Sequence, residues 1–307
     1  MVRSIKGQGT VTKWLMTKRA IVNKRHFVRY ISIEENIFNI YKIINNKPPL
    51  TVQLVSFSSC YDFGEQTLSI LSFIKYVGEP SSWIIYSDGT HTNDQIELLE
   101  NTFKFIQVLK VAFDEEYIRY NIKPSLLPYK KEFIDYANSF PLGKKLFFYL
   151  NFRINKPTIF LDSDVLFYEK ACCLYSLLKE KTAGWFLPDS EWGNLDSRYV
   201  AKTNAQHYQV NSGLFVVNFE LKNMSQALNF FVDINDSYEY FSEQTILHIL
   251  LLSNDFIPLD PRLFVLNSGD QFDLSYLYHK EQIAARHYTG PVRHKMWQRN
   301  WKWHLSL

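Results

Sequence analysis

Two aspartates, Asp162 and Asp164, directly follow a short apolar stretch and are the residues of this chain best placed to do chemistry. The stretch, residues 158–161, is β-branched and apolar, which is typical of a buried strand. An unpaired charge is expensive to bury, so a cation between the two carboxylates would explain their position. Carboxylate oxygens suit Mg²⁺ and Mn²⁺, and open α/β sheets bind ligands at the carboxyl ends of their strands. The pair therefore predicts a divalent-metal site at a sheet edge.

Polar residues at four further places go beyond what a generic α/β sheet requires. In chain order they are Lys145, Asn211-Ser212-Gly213, Glu243-Gln244, and the segment from His287 to Trp297. Each group is a weak signal alone, because a lone helix lysine is usually solvated and Asn and Ser often only stabilise a turn. The glycine inside a β-like stretch indicates a backbone that passes close to another group.

The elements that must position these residues alternate between strand and helix. Strands are predicted at residues 52–57, 83–86, 105–108, 158–161 and 209–218, the last interrupted by a polar bend. Helices are predicted at residues 68–77, 93–103, 130–138, from 143 onward, 171–178, 224–232 and 243–252. Such a series predicts an α/β fold with a mostly parallel sheet and helices on both faces, an outline that does not by itself define a function.

The first 48 residues differ from the rest in charge. Eight Lys and Arg residues precede the first acid, Glu34, among scattered apolar residues that fit one or two amphipathic helices. The segment 45–49, with its two prolines, predicts a boundary between a basic helical extension at 1–48 and a main domain at 49–307. The excess of positive charge in residues 1–48 is explained either by a solvated surface or by peripheral docking on an anionic membrane surface, and the sequence leaves both open.

Composition excludes several classes of protein. A hydrophobic fraction of 46% in 307 residues predicts a folded protein, and a net charge of +3 argues against a nucleic-acid binder. Three cysteines, two of them adjacent at Cys172-Cys173, favour free thiols in a reducing compartment. No apolar run approaches the length of a membrane span, and no secretory signal is recognised. These features predict a cytoplasmic protein.

Taken together, the motifs resemble those of the GT-A-fold glycosyltransferases of family 8, the group that contains glycogenin and bacterial lipopolysaccharide sugar transferases. The resemblance covers about residues 51–300 and depends on the order of the motifs more than on any single one. It implies a Rossmann-like GT-A domain that moves a sugar from a nucleoside-diphosphate donor to an acceptor hydroxyl with retention of configuration. The acceptor is expected to be a glycan, a glycolipid or a protein.

The resemblance also implies a metal centre with three ligands. Asp162 and Asp164 match the metal-binding acids of that family, and His287 matches the histidine that completes the site from the C-terminal loop. Mn²⁺, or Mg²⁺, would then bridge the diphosphate and stabilise the charge that develops on the leaving group. A neutral imidazole beside carboxylates is an ordinary set of ligands for Mn²⁺.

Near the C-terminus the resemblance assigns residues to the diphosphate. The turn at Gly290 would let backbone approach the phosphates, and Arg293 stands where the family usually has a lysine. Lys295 is an alternative for that task, because His294 and Lys295 replace the Pro-Trp pair that follows the family lysine.

Other matched residues are assigned to the donor and to catalysis. Lys145, Ser163, Ser212 and Gly213 are placed with the donor, as are Asp88 for the ribose or base and Asp189 for the sugar hydroxyls. Asn211 and the Glu243-Gln244 pair, which matches the family's Asp-Gln beside the anomeric carbon, are the expected catalytic residues. None of them is a convincing nucleophile, so no covalent intermediate is predicted.

Two hypotheses from other classes compete with this one. In a haloacid-dehalogenase-type phosphatase Asp162 would be the nucleophile and residues 265–273 would supply a second acidic site. Against it, three predicted strands precede the motif, which normally comes early, and Leu166 stands where a small or β-branched residue is typical. In a non-catalytic nucleotide-sugar-binding module the acids would commonly be lost, yet both are present.

Overall fold

The computed structural model describes residues 10–189, 194–202, 208–234, 237–271, 273, 276 and 278–307, with side chains described from Trp14 onward. The strands are β1 (Leu50–Ser58), β2 (Pro80–Ser87), β3 (Ile106–Leu109), β4 (Thr158–Asp162), β5 (Val165–Phe167), β6 (Gly184–Asp189), β7 (Gln209–Val217), β8 (Ile257–Pro258), β9 (Phe264–Val265) and β10 (Ala285–His287). The helices are α1 (Thr10–Ile31), α2 (Glu34–Ile44), α3 (Phe63–Tyr76), α4 (Asn93–Thr102), α5 (Glu115–Asn121), α6 (Lys130–Ser139), α7 (Pro141–Asn151), α8 (Leu174–Leu177), α9 (Ser197–Val200), α10 (Ser225–Asp233), α11 (Ser242–Leu252), α12 (Arg293–Met296) and α13 (Trp301–Leu305).

Seven of the described strands form one sheet in the order β3-β2-β1-β4-β7-β6-β8. β1 pairs in parallel with β2 and β4, and β3 extends the parallel part, whereas β7 runs antiparallel to β4 and β6. The parallel strands therefore end at one edge, where Phe57 of β1 pairs with Asp162 of β4. The predicted α/β fold, a mostly parallel sheet flanked by helices, is confirmed.

Strand β4 separates two hydrophobic cores. Successive side chains of a strand point to opposite faces, so Ile159 and Leu161 pack on the side of α3 while Phe160 packs on the side of α7 and α11. The Phe160 ring stacks on Phe215 of β7 with ring centroids 4.7 Å apart. Burial on both faces explains why this stretch is apolar throughout, and it holds the end of β4 rigidly in place.

A small second sheet brings the C-terminal part of the chain to the end of β4. β10 lies between β5 and β9, and its His287 pairs with Val165 in an antiparallel register. The backbone N–H of Tyr288 donates to the carbonyl oxygen of Asp164 at 2.9 Å. This pairing places a histidine from the end of the chain beside acids 123 and 125 residues earlier.

The polar bend predicted inside the strand at 209–218 is instead part of a continuous strand, β7. Phe186 of β6 pairs with Phe215, but the next residue, Leu187, pairs with Asn211, so the register skips residues 212–214. The strand therefore bulges rather than breaks, because a bulge accommodates extra residues while most ladder hydrogen bonds remain.

The basic helices at the start of the chain pack on the same core as its end. Phe27 and Ile31 of α1 are fully buried, and the Phe27 ring lies 5.5 Å from the rings of both Trp297 and Trp301. Lys24 forms an ion pair of 2.7 Å with the buried Glu65 of α3. The predicted division at residue 48 stays a prediction. Among the described residues, no helix has both the length and the apolar character that crossing a membrane requires.

Candidate active site

A cavity of about 280 Å³ opens at the carboxyl edge of β4, close to the lower end of the range for ligand pockets. It is lined by most of the residues that the sequence predicts for the site, namely Lys145, Asp162, Asp164, Asp189, Asn211, Ser212, Glu243, Gln244, His287, Gly290 and Arg293. The predicted residues thus come from six separate parts of the chain and line one cavity. Ser163 is buried between the two aspartates.

Three of these side chains form a compact cluster with metal-ligand chemistry. One ligand atom each from Asp162, Asp164 and His287 lies within 4.8 Å of the others. The His287 Nε2 atom is 3.1 Å from Asp164 Oδ1 and 3.7 Å from Asp162 Oδ2. Ligand atoms that share one Mg²⁺ or Mn²⁺ at about 2.1 Å lie about 3 Å apart. The donor types and spacings therefore fit a hard divalent cation.

The orientation of the His287 ring follows from its hydrogen bonds on the opposite side. The backbone N–H of Gly213 donates to Asn211 Oδ1 at 2.9 Å, which identifies that atom as the amide oxygen. His287 Nδ1 lies 2.9 Å from the same oxygen and must therefore donate to it. In the neutral ring this leaves the lone pair on Nε2, the atom that faces the two carboxylates.

Gly213 is required by close packing rather than by an unusual backbone conformation. A Cβ atom at this position would lie 2.0 Å from His287 Cε1 and 2.4 Å from its Nδ1. Any larger residue would therefore displace the imidazole or the strand. The sequence indicated a close approach at this glycine, and the structure identifies the partner as His287.

Arg293 joins the cluster from α12. Its guanidinium donates to Asp164 Oδ2 at 2.5 Å and 3.1 Å, and it also donates to Asp62 Oδ1, in the loop after β1, at 3.1 Å. Burial alone would raise the pKa of Asp164, but His287 and Arg293 outweigh it and hold that pKa well below its usual range. The carboxylate is therefore ionised at neutral pH.

A buried lysine forms the floor of the cavity. Lys145 Nζ pairs with Asp162 Oδ1 at 2.7 Å and with Glu243 Oε1 at 3.3 Å. Burial opposes the charge on this lysine, but the two carboxylates outweigh it and keep its pKa well above the ordinary value. Burial raises the pKa of Glu243, and Asp162 adds to this effect while Lys145 opposes it. Lys145 thus remains cationic, and Glu243 is a weaker acid than usual.

Gln244 is held in one orientation by three hydrogen bonds. Its Oε1 accepts from Asn211 Nδ2 and from the backbone N–H of Ser212, both at 3.2 Å, and its Nε2 donates to the carbonyl oxygen of Asn194 at 2.7 Å. The Ser212 hydroxyl donates to Glu243 Oε2 at 3.0 Å. The bulge in β7 and the first turn of α11 therefore form one polar network.

Asp88 and Lys295, both predicted to contact the donor, lie away from the cavity lining. Asp88 follows β2 and accepts hydrogen bonds from the backbone N–H and the hydroxyl of Thr90. Lys295 is fully buried, donates to the carbonyl oxygen of Asp273 at 2.8 Å and lies 3.7 Å from Asp270 Oδ2. Of the two cations considered for the diphosphate, the structure places Arg293 at the cavity and Lys295 in the protein interior.

The structure also adds residues that the sequence did not indicate. Asn194 lines the cavity and donates to Asp189 Oδ2 at 3.0 Å, and Asp62 binds Arg293. An acid in the loop after the first strand would have been a signal for Asp62, because that loop lies at the same sheet edge as Asp162.

Asp270, which the phosphatase hypothesis needs as a second acid, is bound by both terminal nitrogens of Arg286.

Comparison with solved structures finds this arrangement of elements in glycosyltransferases. The apo form of the glycosyltransferase GlyE from Streptococcus pneumoniae TIGR4 has a TM-score of 0.51 and 10% identity, over 84% of this chain and 62% of its own. The apo bifunctional glycosyltransferase WbbM has a TM-score of 0.51 and 13% identity, over 83% and 51%. The galactosyltransferase LgtC, solved with donor and acceptor sugar analogs, has a TM-score of 0.49 and 14% identity, over 78% and 87%.

No family model and no curated protein matches the sequence. This chain spans less than two thirds of GlyE and about half of WbbM. At such low identity the likeness shows the fold, which is the GT-A glycosyltransferase fold that the motifs predict. The narrower resemblance to family 8 stays a prediction.

Proposed function

We propose that this protein is a metal-dependent glycosyltransferase that moves a sugar from a nucleoside-diphosphate donor to an acceptor hydroxyl with retention of configuration. The observation that carries the proposal is the convergence of Asp162, Asp164 and His287 Nε2 on one cavity that also contains Arg293. A GT-A fold with this cluster at its strand ends supports glycosyl transfer over other reactions of α/β proteins. The acceptor class, whether glycan, glycolipid or protein, is left open.

Asp162, Asp164 and His287 would hold the metal ion, with Mn²⁺ or Mg²⁺ as the candidates. When bound, such an ion neutralises a diphosphate and stabilises it as a leaving group. Asn211 keeps the His287 ring in the tautomer that can bind the ion. The role of Asn211 is then to position the histidine as well as to line the cavity.

Arg293 is the residue we assign to the diphosphate, in preference to Lys295. Its guanidinium is at the cavity, remains charged at all relevant pH values and has the fork geometry that suits phosphate. Gly290 lies on the same wall, where a small residue leaves room for phosphate oxygens. The buried cation of Lys145, with Asp189 and Ser212, would contact the sugar part of the donor.

Glu243 and Gln244 would lie beside the reacting carbon. The amide of Gln244 is fixed by its hydrogen bonds, so it presents one orientation to a bound sugar. Glu243 is hydrogen-bonded to Ser212 and paired with Lys145, which makes it a poor nucleophile. We therefore favour attack of the acceptor hydroxyl from the face that the diphosphate leaves, without a covalent intermediate.

A thermal-shift screen of nucleoside-diphosphate sugars, each with and without Mn²⁺, tests the proposal. A ligand that binds only the folded state stabilises it by about 2.7 kcal/mol at a hundredfold excess over its dissociation constant. We expect at least one diphosphate sugar to raise the melting temperature only when Mn²⁺ is present, and the same sugar to be consumed when a suitable acceptor is added. If no diphosphate sugar shifts the transition under either condition, the proposal fails.

A further inference from the structure

The outward side of α1 has an unusual composition for a solvent-facing helix. Residues at positions 14, 18, 22, 25 and 29 recur at the three- and four-residue spacing of one helical face. Four of its residues are large and apolar, with exposed fractions from 46% to 58%. We call this exposed surface the basic face, and it consists of Trp14, Leu15, Lys18, Arg19, Ile21, Val22, Arg25 and Arg29.

The charges of the basic face are all of one sign and stand without acidic partners. Residues 14–33 contain no Asp or Glu, and no salt bridge joins Lys18, Arg19, Arg25 or Arg29 to an acid in the described part of the chain. Lys18 instead lies over the Trp14 ring, 4.8 Å from its centroid. By contrast, Lys24 on the inner side is paired with Glu65.

We propose that the basic face docks on an anionic lipid bilayer, with α1 lying in the plane of the interface. Lys and Arg would meet the lipid headgroups, while Trp14, Ile21 and Val22 would enter the boundary with the acyl chains. A dissolved polyanion such as RNA could neutralise the cations, but it would leave the aliphatic side chains exposed to water. The combination of cations with aliphatic residues on one face therefore favours a bilayer.

The inner side of α1 connects the basic face to the rim of the cavity. Asn23 donates to the carbonyl oxygen of Trp297 at 2.8 Å, and Lys24 donates to that of Tyr61 at 2.9 Å. The next residue, Asp62, binds Arg293, which lines the cavity. Docking through α1 would therefore hold the cavity rim close to the membrane. The docking proposal stands on this surface alone and does not depend on the proposed transferase activity.

Flotation of the full chain with phospholipid vesicles tests the proposal, without metal or donor. We expect the protein to float with vesicles that contain phosphatidylglycerol and to remain in solution with pure phosphatidylcholine. Each cation near an anionic surface contributes about fivefold to partitioning, so a Lys18→Glu/Arg25→Glu variant should bind on the order of 30-fold more weakly or worse. A Lys179→Glu/Lys181→Glu variant makes the same charge change at two exposed positions before β6 and should bind like the unmodified protein.

A second variant separates insertion into the bilayer from charge attraction. Trp14→Ser/Val22→Ser removes apolar area but no charge, so binding to anionic vesicles should weaken and become more sensitive to added salt than that of the unmodified protein, because salt screens the remaining attraction. Circular dichroism of each variant checks that the helices remain.

Equal binding by the Lys18→Glu/Arg25→Glu variant, or no flotation of the unmodified protein with anionic vesicles, would overturn the proposal. Tighter binding to single-stranded RNA than to vesicles, unaffected by Trp14→Ser/Val22→Ser, would replace the bilayer with a nucleic acid.

Discussion

Two neighbouring residues on β10 place their side chains in different environments. His287 faces the cavity and the carboxylates of Asp162 and Asp164, whereas Arg286 faces the interior and binds Asp270 through both of its terminal nitrogens, at 2.6 Å and 3.0 Å. Both side chains are almost fully buried. His287 and Arg286 therefore differ in what surrounds them and not in how exposed they are. We call His287, Asp162 and Asp164 the cavity cluster, and Arg286 with Asp270 the interior cluster.

The interior cluster is closed by its own partners. Arg286 lies 4.9 Å from the Tyr288 ring centroid, and the Tyr288 hydroxyl is 2.6 Å from that of Tyr168, which in turn donates to His304. The cavity cluster instead has two carboxylates and the Nε2 atom of an imidazole close together beside open space. A buried charge with a matched partner is structural, and one held next to a repelling neighbour at a cavity is a candidate for chemistry.

The largest effect that would test this contrast is expected at the cavity cluster. Asp164→Asn removes one anionic ligand and the carboxylate that accepts two of the three hydrogen bonds from Arg293, so we expect sugar transfer to fall about 10³-fold or more. Initial rates with a donor identified by thermal shift, at saturating Mn²⁺, give the measurement. Asp135→Asn, at a partly exposed position on α6, is the matched control and should leave the rate unchanged. A rate for Asp164→Asn close to the unmodified one would remove the metal role.

In the interior cluster the corresponding change should affect folding. Asp270→Asn leaves the guanidinium of Arg286 buried without its carboxylate, and the free energy of unfolding should fall by about 3 kcal/mol. Denaturant titration measures the change. The control is Asp260→Asn, which breaks an Asp–Arg pair whose Arg262 is 88% exposed, and should change stability little. Equal losses in the two variants would mean that the Arg286 pair is no more important than a surface one.

An intermediate effect is expected at Asn211, which accepts a hydrogen bond from His287 in the cavity cluster. Asn211→Ala removes the acceptor of Nδ1, so we expect Mn²⁺ affinity to fall about 10–100-fold. Asn211→Asp keeps an acceptor oxygen and should retain most of the affinity. Isothermal titration with Mn²⁺ alone distinguishes the two variants. If the alanine variant binds Mn²⁺ as tightly as the unmodified protein, Asn211 does not position the histidine.

The effect that is smallest per pH unit concerns the interior cluster alone. Burial lowers the pKa of His304 to about 3, and its Nε2 donates to the carbonyl oxygen of Met296 at 2.8 Å. The unfolded chain binds this proton near pH 6.5 and the folded chain does not. Stability from this group is therefore present above about pH 6.5 and is lost as the pH falls toward 3, by about 1.4 kcal/mol per pH unit at most.

Denaturant titrations between pH 6.5 and 4 measure that slope. His304→Gln keeps a donor and an acceptor but cannot be protonated. The slope of its unfolding free energy against pH should therefore be smaller by up to about 1.4 kcal/mol per pH unit. An unchanged slope in this variant would show that His304 does not titrate on unfolding.

Much of the fold could be predicted because its signals are local. Strands β1 and β4 and helix α3 are continuous apolar or amphipathic stretches, which the periodicity of side chains reveals. β5, β9 and β10 have two or three residues each and exist only through pairing with distant segments. No window of the sequence contains that pairing, and so the strand that carries His287 was not predicted.

The sequence by itself determined that Asp162 and Asp164 lie at the carboxyl edge of the sheet, since strands that run in parallel bring their carboxyl ends together. Only the tertiary structure shows that Arg293 lies at the cavity and Lys295 in the interior, because residues two apart on a helical turn point about 200° from each other and spacing does not say which one faces inward. Likewise, Arg286 and His287 are adjacent in sequence and are both polar. Their separation into an interior ion pair and a cavity wall follows from the alternation of side chains along β10 and from what packs on each face.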